Sequence, residues 1–177
     1  MSHFLDRVFR AAKLDIKLYE EVEADHGAMR QALGIVVLSS IAAGLGSIER
    51  VGFNGILIGT ITALLGWYFW AFLAYFIGTK FLPEPQTKAD YGELLRTIGF
   101  ASSPGLIRVL GLIPGIANIV FILATIWMLI AMVIAVRQAL DYQSTLRAVC
   151  VCIIGWIIQG LLFALLFSLF GVSVKPG

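Results

Sequence analysis

Residues 51–79 read VGFNGILIGTITALLGWYFWAFLAYFIGT, twenty-nine residues without one charged side chain. A bilayer core of about 30 Å takes roughly 20 helical residues at about 1.5 Å each. This stretch is therefore long enough to cross a membrane with some tilt. The same holds outward in both directions. Residues 31–48, 109–136 and 148–174 carry no charge, and 97–107 is a shorter stretch of the same kind. Overall 59% of the 177 residues are hydrophobic and 14% are charged, with a mean hydropathy of +0.92. Soluble domains sit near 45–50% apolar and about 25% charged. The composition excludes a soluble core, a disordered chain and a small disulfide scaffold. A net charge of +2 gives no field to hold nucleic acid. The fold class is an all-α integral membrane protein, a polytopic bundle of transmembrane helices.

Four spans follow from the uncharged stretches. The first extends back to Met29 and Arg30, and the helix within 109–136 is predicted to begin near Pro114. Residues 91–113 are ambiguous: apolar, but interrupted by Pro104 and Gly105 and carrying Arg108. Proline removes a backbone donor and clashes with the preceding turn. At membrane depth such a break needs protein or water to satisfy the freed groups. The segment is either a kinked third span or a re-entrant element. Counting Lys and Arg by the positive-inside rule puts the N-terminus in the cytoplasm with either four or five spans, and does not choose between them.

Residues 1–28 hold no continuous apolar core of the secretory type. They form an amphipathic segment, with Phe4, Leu5, Val8, Phe9, Ala12, Ile16, Tyr19 and Val22 on one face and Arg7, Arg10, Lys13 and Lys17 opposite. Leu14 and Leu18 break the pattern, and Asp15 is a candidate cap for a second short helix. The segment either packs on the cytoplasmic ends of the spans or lies in the headgroup layer. Phe4, Val8 and Phe9 are the side chains predicted to be covered, with Arg7, Arg10 and Lys13 meeting water, lipid phosphates or a partner's carboxylates. Asp25 is the expected N-cap of the first span.

Catalytic chemistry has little to stand on. His3 and His26 both lie in the polar N-terminal region, and Cys150 and Cys152 are two apart in the last span, pointing to different sides. No metal-ligand spacing, phosphate loop or nucleophile elbow is present in the sequence, so no metal and no cofactor is expected. Arg108 is the sharpest polar residue, because a charge inside a span is costly and marks a functional candidate unless it snorkels to the interface. Arg137 and Asp141, four apart, suggest an anchoring pair. Gln159 is a candidate for a hydrogen bond to a neighbouring helix. Gly55 and Gly59 form a GxxxG step, as do Gly111 and Gly115, and Ser40, Ala42, Gly44 and Gly46 add small-xxx-small steps. Such faces serve bundle closure or a partner contact. Tyr68, Phe72, Tyr75 and Phe76 make an aromatic stripe that could face lipid, a pigment or quinone, or another subunit.

The stretch Leu14 through Asp25 followed by Gln31-Ala32-Leu33, the run Ala89 through Ala101 with Pro104-Gly105-Leu106, the run Gly111 through Gly115, and Trp127-Met128 leading into Ala135 through Tyr142 together resemble the bacterial branch of the Yip (Ypt/Rab-interacting protein) family. The resemblance runs from about residue 14 to 171. It implies five spans, the third short and broken at Pro104, with a cytoplasmic N-terminus and an external C-terminus. The implied organisation is an amphipathic N-terminal segment over 1–28, a Yip-type transmembrane domain over 29–172 and a short tail over 173–177. Eukaryotic members are linked to vesicle trafficking and small GTPases; GTPase binding is not carried over to this chain.

The expectation is a non-catalytic, multi-pass protein of the bacterial inner membrane. Its role is that of an interaction or accessory subunit of a larger membrane assembly, or an organiser of the bilayer. A small-molecule or ion transporter or channel component is the alternative. Its partners are membrane lipids and a membrane protein or a second copy of itself, and its candidate interaction residues are Phe4, Phe9, Arg108, Gly55, Gly59 and Gln159.

Overall fold

The computed structural model describes residues 2–169, and these are all helical or connecting, without a strand. The predicted 173–177 tail and residues 170–172 of the predicted transmembrane domain lie outside the described residues. Two short helices, α1 (Ser2–Ala12) and α2 (Ile16–Ala24), precede α3 (Met29–Gly46), α4 (Ile48–Phe76), α5 (Tyr91–Phe100), α6 (Ala117–Ala139) and α7 (Thr145–Leu169). Among the described residues, four helical stretches are long and apolar enough to cross a membrane: His26–Gly46, Ile48–Phe81, Ala117–Ala139 and Thr145–Leu162. The chain is a multi-pass membrane protein. We call the end holding Met29, Phe81, Tyr91 and Ala139 the near end, and that holding Gly46, Ile48 and Ala117 the far end.

Local sequence sets the boundaries. Leu14 adopts φ 62° between α1 and α2, and the Asp15 carboxylate then caps α2 by accepting from the Lys17 N–H at 3.1 Å. Asp25 accepts from the Gly27 N–H at 2.8 Å and opens the short 3₁₀ turn His26–Ala28 that feeds α3. Asp15 thus caps as its sequence position suggests, whereas Asp25 caps the 3₁₀ turn and α3 itself follows Ala28 without a side-chain cap. Asp90 and Glu93 form a reciprocal capping box at α5, a device worth about 1 kcal/mol. α4 is kinked at Gly52, whose φ of 63° suits a residue without Cβ. At its other end α4 widens into a π-helical turn, Ile77–Phe81.

Residues 91–113 show how a proline shapes an apolar helical segment. The ring of Pro104 would clash with the carbonyl of Phe100 in a continuing α-helix. The α-helix stops at Phe100, and the chain advances as 3₁₀ turns over Ser103–Leu112. This composite element runs beside α3 in the same direction. Gly99 faces Ala32, Gly105 faces Ser39, and Gly111 faces Gly46. The contact thus follows α3 over fourteen residues, roughly 21 Å of rise. At Gly46 and Gly111 the approach is backbone to backbone: a Cβ on Gly46 would collide with the Arg108 carbonyl, and one on Gly111 would lie 2.6 Å from the Gly46 carbonyl oxygen. The α6 helix begins at Ala117, slightly later than the expected start near Pro114, because a turn with Gly115 at φ 86° intervenes.

Candidate functional site

Two polar constellations stand out, one at each half of the bundle. The first clips α1 and α2 to the near end. Arg7 is 4% exposed, and its guanidinium meets Glu21 at 2.7 Å, Asp25 at 2.9 Å and the Gln31 side-chain Oε1 at 3.2 Å. Arg10, one turn on, pairs with Asp15 at 2.8 Å and Glu21 at 2.7 Å. Arg96 of α5 is 3% exposed and donates to the backbone carbonyls of Val22 and Glu23 at the end of α2. These carbonyls belong to the unsatisfied last turn of a helix, where a cation is favourable. Apolar packing completes the attachment, with Val8, Ala11, Leu18, Tyr19 and Val22 all buried.

The hairpin reaches further along the bundle than the helix ends. The Trp127 indole N–H donates to the Ala12 carbonyl at 2.7 Å. Trp127 lies twelve residues inside α6, roughly 18 Å from its near end. The α1–α2 turn therefore rests beside the middle of α6. The sequence places Arg7 on the water-facing side; the structure corrects this, because a turn at Leu14 folds Glu21 and Asp25 back onto it. Arg10 likewise finds carboxylates within the chain. Phe4 is half-buried against the core, but Phe9 is 65% exposed.

Electrostatics follow the geometry. Hydrogen bonds from Arg10, then Arg7, hold the Glu21 carboxyl below its usual range, and Arg7 does the same for Asp25. Glu23 behaves oppositely. Burial, with Asp141, Glu93 and Glu20 nearby, pushes it up to about 7. Those four acids line an open cavity of about 580 Å³ together with Arg137 and Gln138. Arg137 does not pair with Asp141 as predicted. α6 ends at Ala139 and Asp141 takes φ 53°, so helical i, i+4 spacing does not apply. Arg137 instead donates to the Tyr142 and Gln143 carbonyls, both at 3.2 Å.

The second constellation surrounds Arg108, toward the far end. Its side chain turns toward α6: a terminal amino group donates to Thr125 Oγ1 at 3.2 Å, and the guanidinium carbon lies 5.7 Å from the centre of the Phe121 ring. The Nε atom is buried without a hydrogen-bond partner. Arg108 joins two cavities. One, of about 300 Å³, has Ser39, Ser102 and Gln159 on its polar side and Trp70, Met132 and Trp156 on its apolar side. The other, of about 270 Å³, is bordered by Gly55 and Gly59 of α4. Of the predicted candidates the structure thus brings Arg108, Gln159, Gly55 and Gly59 to adjoining spaces, and sets Phe4 and Phe9 apart on the hairpin. A Cβ on Gly59 would meet nothing, and one on Gly55 would first meet Val51 of the same helix. Bundle closure uses Gly44, Gly46 and Gly111 instead. Gln159 makes no hydrogen bond to a neighbouring helix among the described residues.

On the outer surface of α4, Tyr68, Phe72 and Phe76 are each more than two-fifths exposed. Phe72 and Tyr75 meet Tyr91 edge-on at 6.5 Å, and the Tyr91 hydroxyl donates to the Tyr68 carbonyl at 2.7 Å. Cys150 and Cys152 are free thiols, the second of them buried. Sequence reasoning missed Arg7, Arg96 and Trp127. The signal available was weak: arginines within otherwise apolar or amphipathic runs, whose acceptors lie 14 or more residues away.

A family model, the Yip1 domain, matches residues 17–167. No curated protein and no solved structure matches the chain.

Proposed function

The chain belongs to the Yip1 domain family, and from that membership we propose that it is a non-catalytic interaction or accessory subunit of a larger membrane assembly. The Yip1 family is not a known enzyme family. The observation that carries the proposal is the α1–α2 hairpin. Its inner face is fixed by Arg7, Arg96 and Trp127, while its outer face leaves Leu5, Phe9 and Ile16 between 45% and 65% exposed beside Asp6, Lys13 and Lys17. A rigid surface that mixes apolar and charged groups suits a protein contact, in which anchors are desolvated and rim charges set register. Holding the hairpin in advance lowers the ordering cost of association.

This reading includes five crossings, with the N-terminus in the cytoplasm of a bacterial cell. The parallel course of 91–112 along α3 supports the odd number, and the Lys/Arg distribution supports the orientation. A reporter fused after Gly177 is expected to report the external side; a cytoplasmic signal would refute the odd count. For the functional reading, the full chain is captured from native membranes under gentle detergent, as wild type and as Phe9→Ser. A co-purifying membrane protein present with wild type and reduced several-fold with the variant is expected. Equal recovery in both would place the contact elsewhere and sink the hairpin as docking surface.

A further inference from the structure

Arg108 has no counter-charge within ion-pair distance among the described residues. None of the ion pairs among the described residues involves it. Among the described residues its one side-chain hydrogen bond goes to a threonine hydroxyl, and its Nε is buried and unsatisfied. A charged residue at bilayer depth is costly unless it is paired or wet. Escape to the interface would relieve it, but the side chain turns the other way. Its carbonyl is packed on Gly46, the last residue of α3. Phe121 also packs beside Gly46, and Thr125 lies one turn further from the far end along α6. The guanidinium therefore points from the far end inward, along Phe121 to Thr125.

The space beside it is amphipathic. Ser40 borders both cavities next to Arg108. Further along, Trp70 stacks on Trp156 with ring centres 6.0 Å apart, and its indole N–H contacts Met132 Sδ at 3.0 Å. The wall is thus cationic and hydroxylated at one end and aromatic and thioether-lined at the other. Gly59 and Gly66 keep α4 open here, since a Cβ on either would meet nothing. Both cavities open outward instead of being sealed.

We propose that Arg108 and its adjoining grooves form a binding site for an anionic membrane lipid drawn from the far-end leaflet. The lipid phosphate would pair with the terminal amino groups of the guanidinium, whose fork matches a phosphate's oxygens. An acyl chain would occupy the groove toward Trp70, Met132 and Trp156. A net anion is preferred over a zwitterionic head group because, among the described residues, neither cavity is lined by a carboxylate that could receive an ammonium. The bilayer itself delivers such a ligand at this depth, with the head group drawn inward by roughly one to two helical turns.

The test uses the full chain purified in a non-ionic detergent and stripped of lipid, then titrated with phosphatidylglycerol, phosphatidylcholine or inorganic phosphate, with bound lipid counted by native mass spectrometry and thermal stability read in parallel. Wild type is expected to retain one phosphatidylglycerol with at least a tenfold preference over phosphatidylcholine. Arg108→Gln is expected to lose that preference, and Arg108→Lys to keep part of it. Gly59→Leu, which narrows a groove and leaves the charge in place, is expected to weaken lipid binding several-fold, and it keeps the proposal testable if Arg108→Gln fails to fold. Lys80→Gln, at the near end, is expected to leave the preference intact. No preference in wild type, or an unchanged preference in Arg108→Gln, would overturn the site. Equal protection by inorganic phosphate would overturn the acyl-chain groove.

Discussion

Arg7 and Arg96 at the near end are buried to within 5% of full burial and have their donors met by carboxylates or helix-end carbonyls. Arg108 toward the far end is half-buried, meets one hydroxyl and one aromatic ring, and keeps an orphaned Nε. The same guanidinium thus fills two roles. Where the chain supplies every acceptor, the arginine fastens one element to another. Where it supplies almost none, the missing acceptor has to come from outside. Breaking a satisfied buried pair is costly because its partners are stranded, whereas removing an uncompensated charge strands nothing.

That contrast orders the mutational effects. Arg7→Ala is expected to be the most damaging, because it strips Asp25 and Gln31 of their cation and leaves Glu21 with Arg10 alone. Loss of one member of a buried pair costs about 3–5 kcal/mol. Glu21 and Asp25 keep about a third of their surface exposed, so about 2–3 kcal/mol is the expected loss for the docked hairpin. It would be read as faster proteolytic cleavage between residues 12 and 29 and a lowered unfolding temperature in detergent. Near-wild-type protection in that variant would collapse the distinction between the two arginine sites.

Trp127→Phe comes next. It retains most of the apolar ring and removes the 2.7 Å bond to the Ala12 carbonyl. The acceptor is part-buried, so leaving it without a donor costs about 1 kcal/mol, and hydrogen exchange should localise the loosening to the α1–α2 turn. Arg108→Gln in neutral detergent should fall lower still, within about 1 kcal/mol of wild type in either direction. A loss as large as that of Arg7→Ala would assign Arg108 the same structural part as its near-end counterparts.

The comparison also marks what a sequence can convey. Uncharged stretches of bilayer length announce α3, α4, α6 and α7, because burial in lipid acts on composition alone. The stop at Phe100 is equally visible, since Pro104 acts within its own turn. Arg7 is another matter. Its acceptors lie fourteen and eighteen residues downstream and reach it only because Leu14 reverses the chain at φ 62°. On a single helical wheel the same residue faces water. Arg137 and Asp141 fail as a pair for a related reason: their spacing holds only inside a helix, and the helix ends between them. The GxxxG step at Gly55 and Gly59 names a spacing but not a neighbour, and α4 is kinked at Gly52 just before it. Arg108 stood out in sequence by its cost; the direction in which it turns is set by the packing of its backbone on Gly46, which no local pattern encodes.

The smallest expected effect concerns pH at the near end, where satisfied and unsatisfied charge meet within α2. Glu21 and Asp25 have carboxyl pKa values lowered by Arg10 and Arg7. The folded state therefore binds their protons less readily than the unfolded chain does. Their contribution is present above the ordinary carboxylate range and is lost as pH falls through the folded values. Glu23 is raised to about 7, chiefly by burial. Between the ordinary value near 4.5 and about 7 the folded state holds a proton that the unfolded chain has released, so stability falls as pH rises through this interval and levels off above it. Together these place the most stable docking of the hairpin just above the ordinary carboxylate range. Glu23 is partly exposed, and solvent screening reduces its share to about 1 kcal/mol or less. Glu23→Gln should therefore flatten the alkaline decline while leaving the acid limb intact. The difference in unfolding temperature between variant and wild type, measured from pH 4.5 to 8.5, isolates this contribution, since other groups cancel in the subtraction. A difference that does not grow between pH 5 and 7.5 would assign the alkaline decline to other groups, and would leave the arginine pairs as the only charges near α2 that matter for docking.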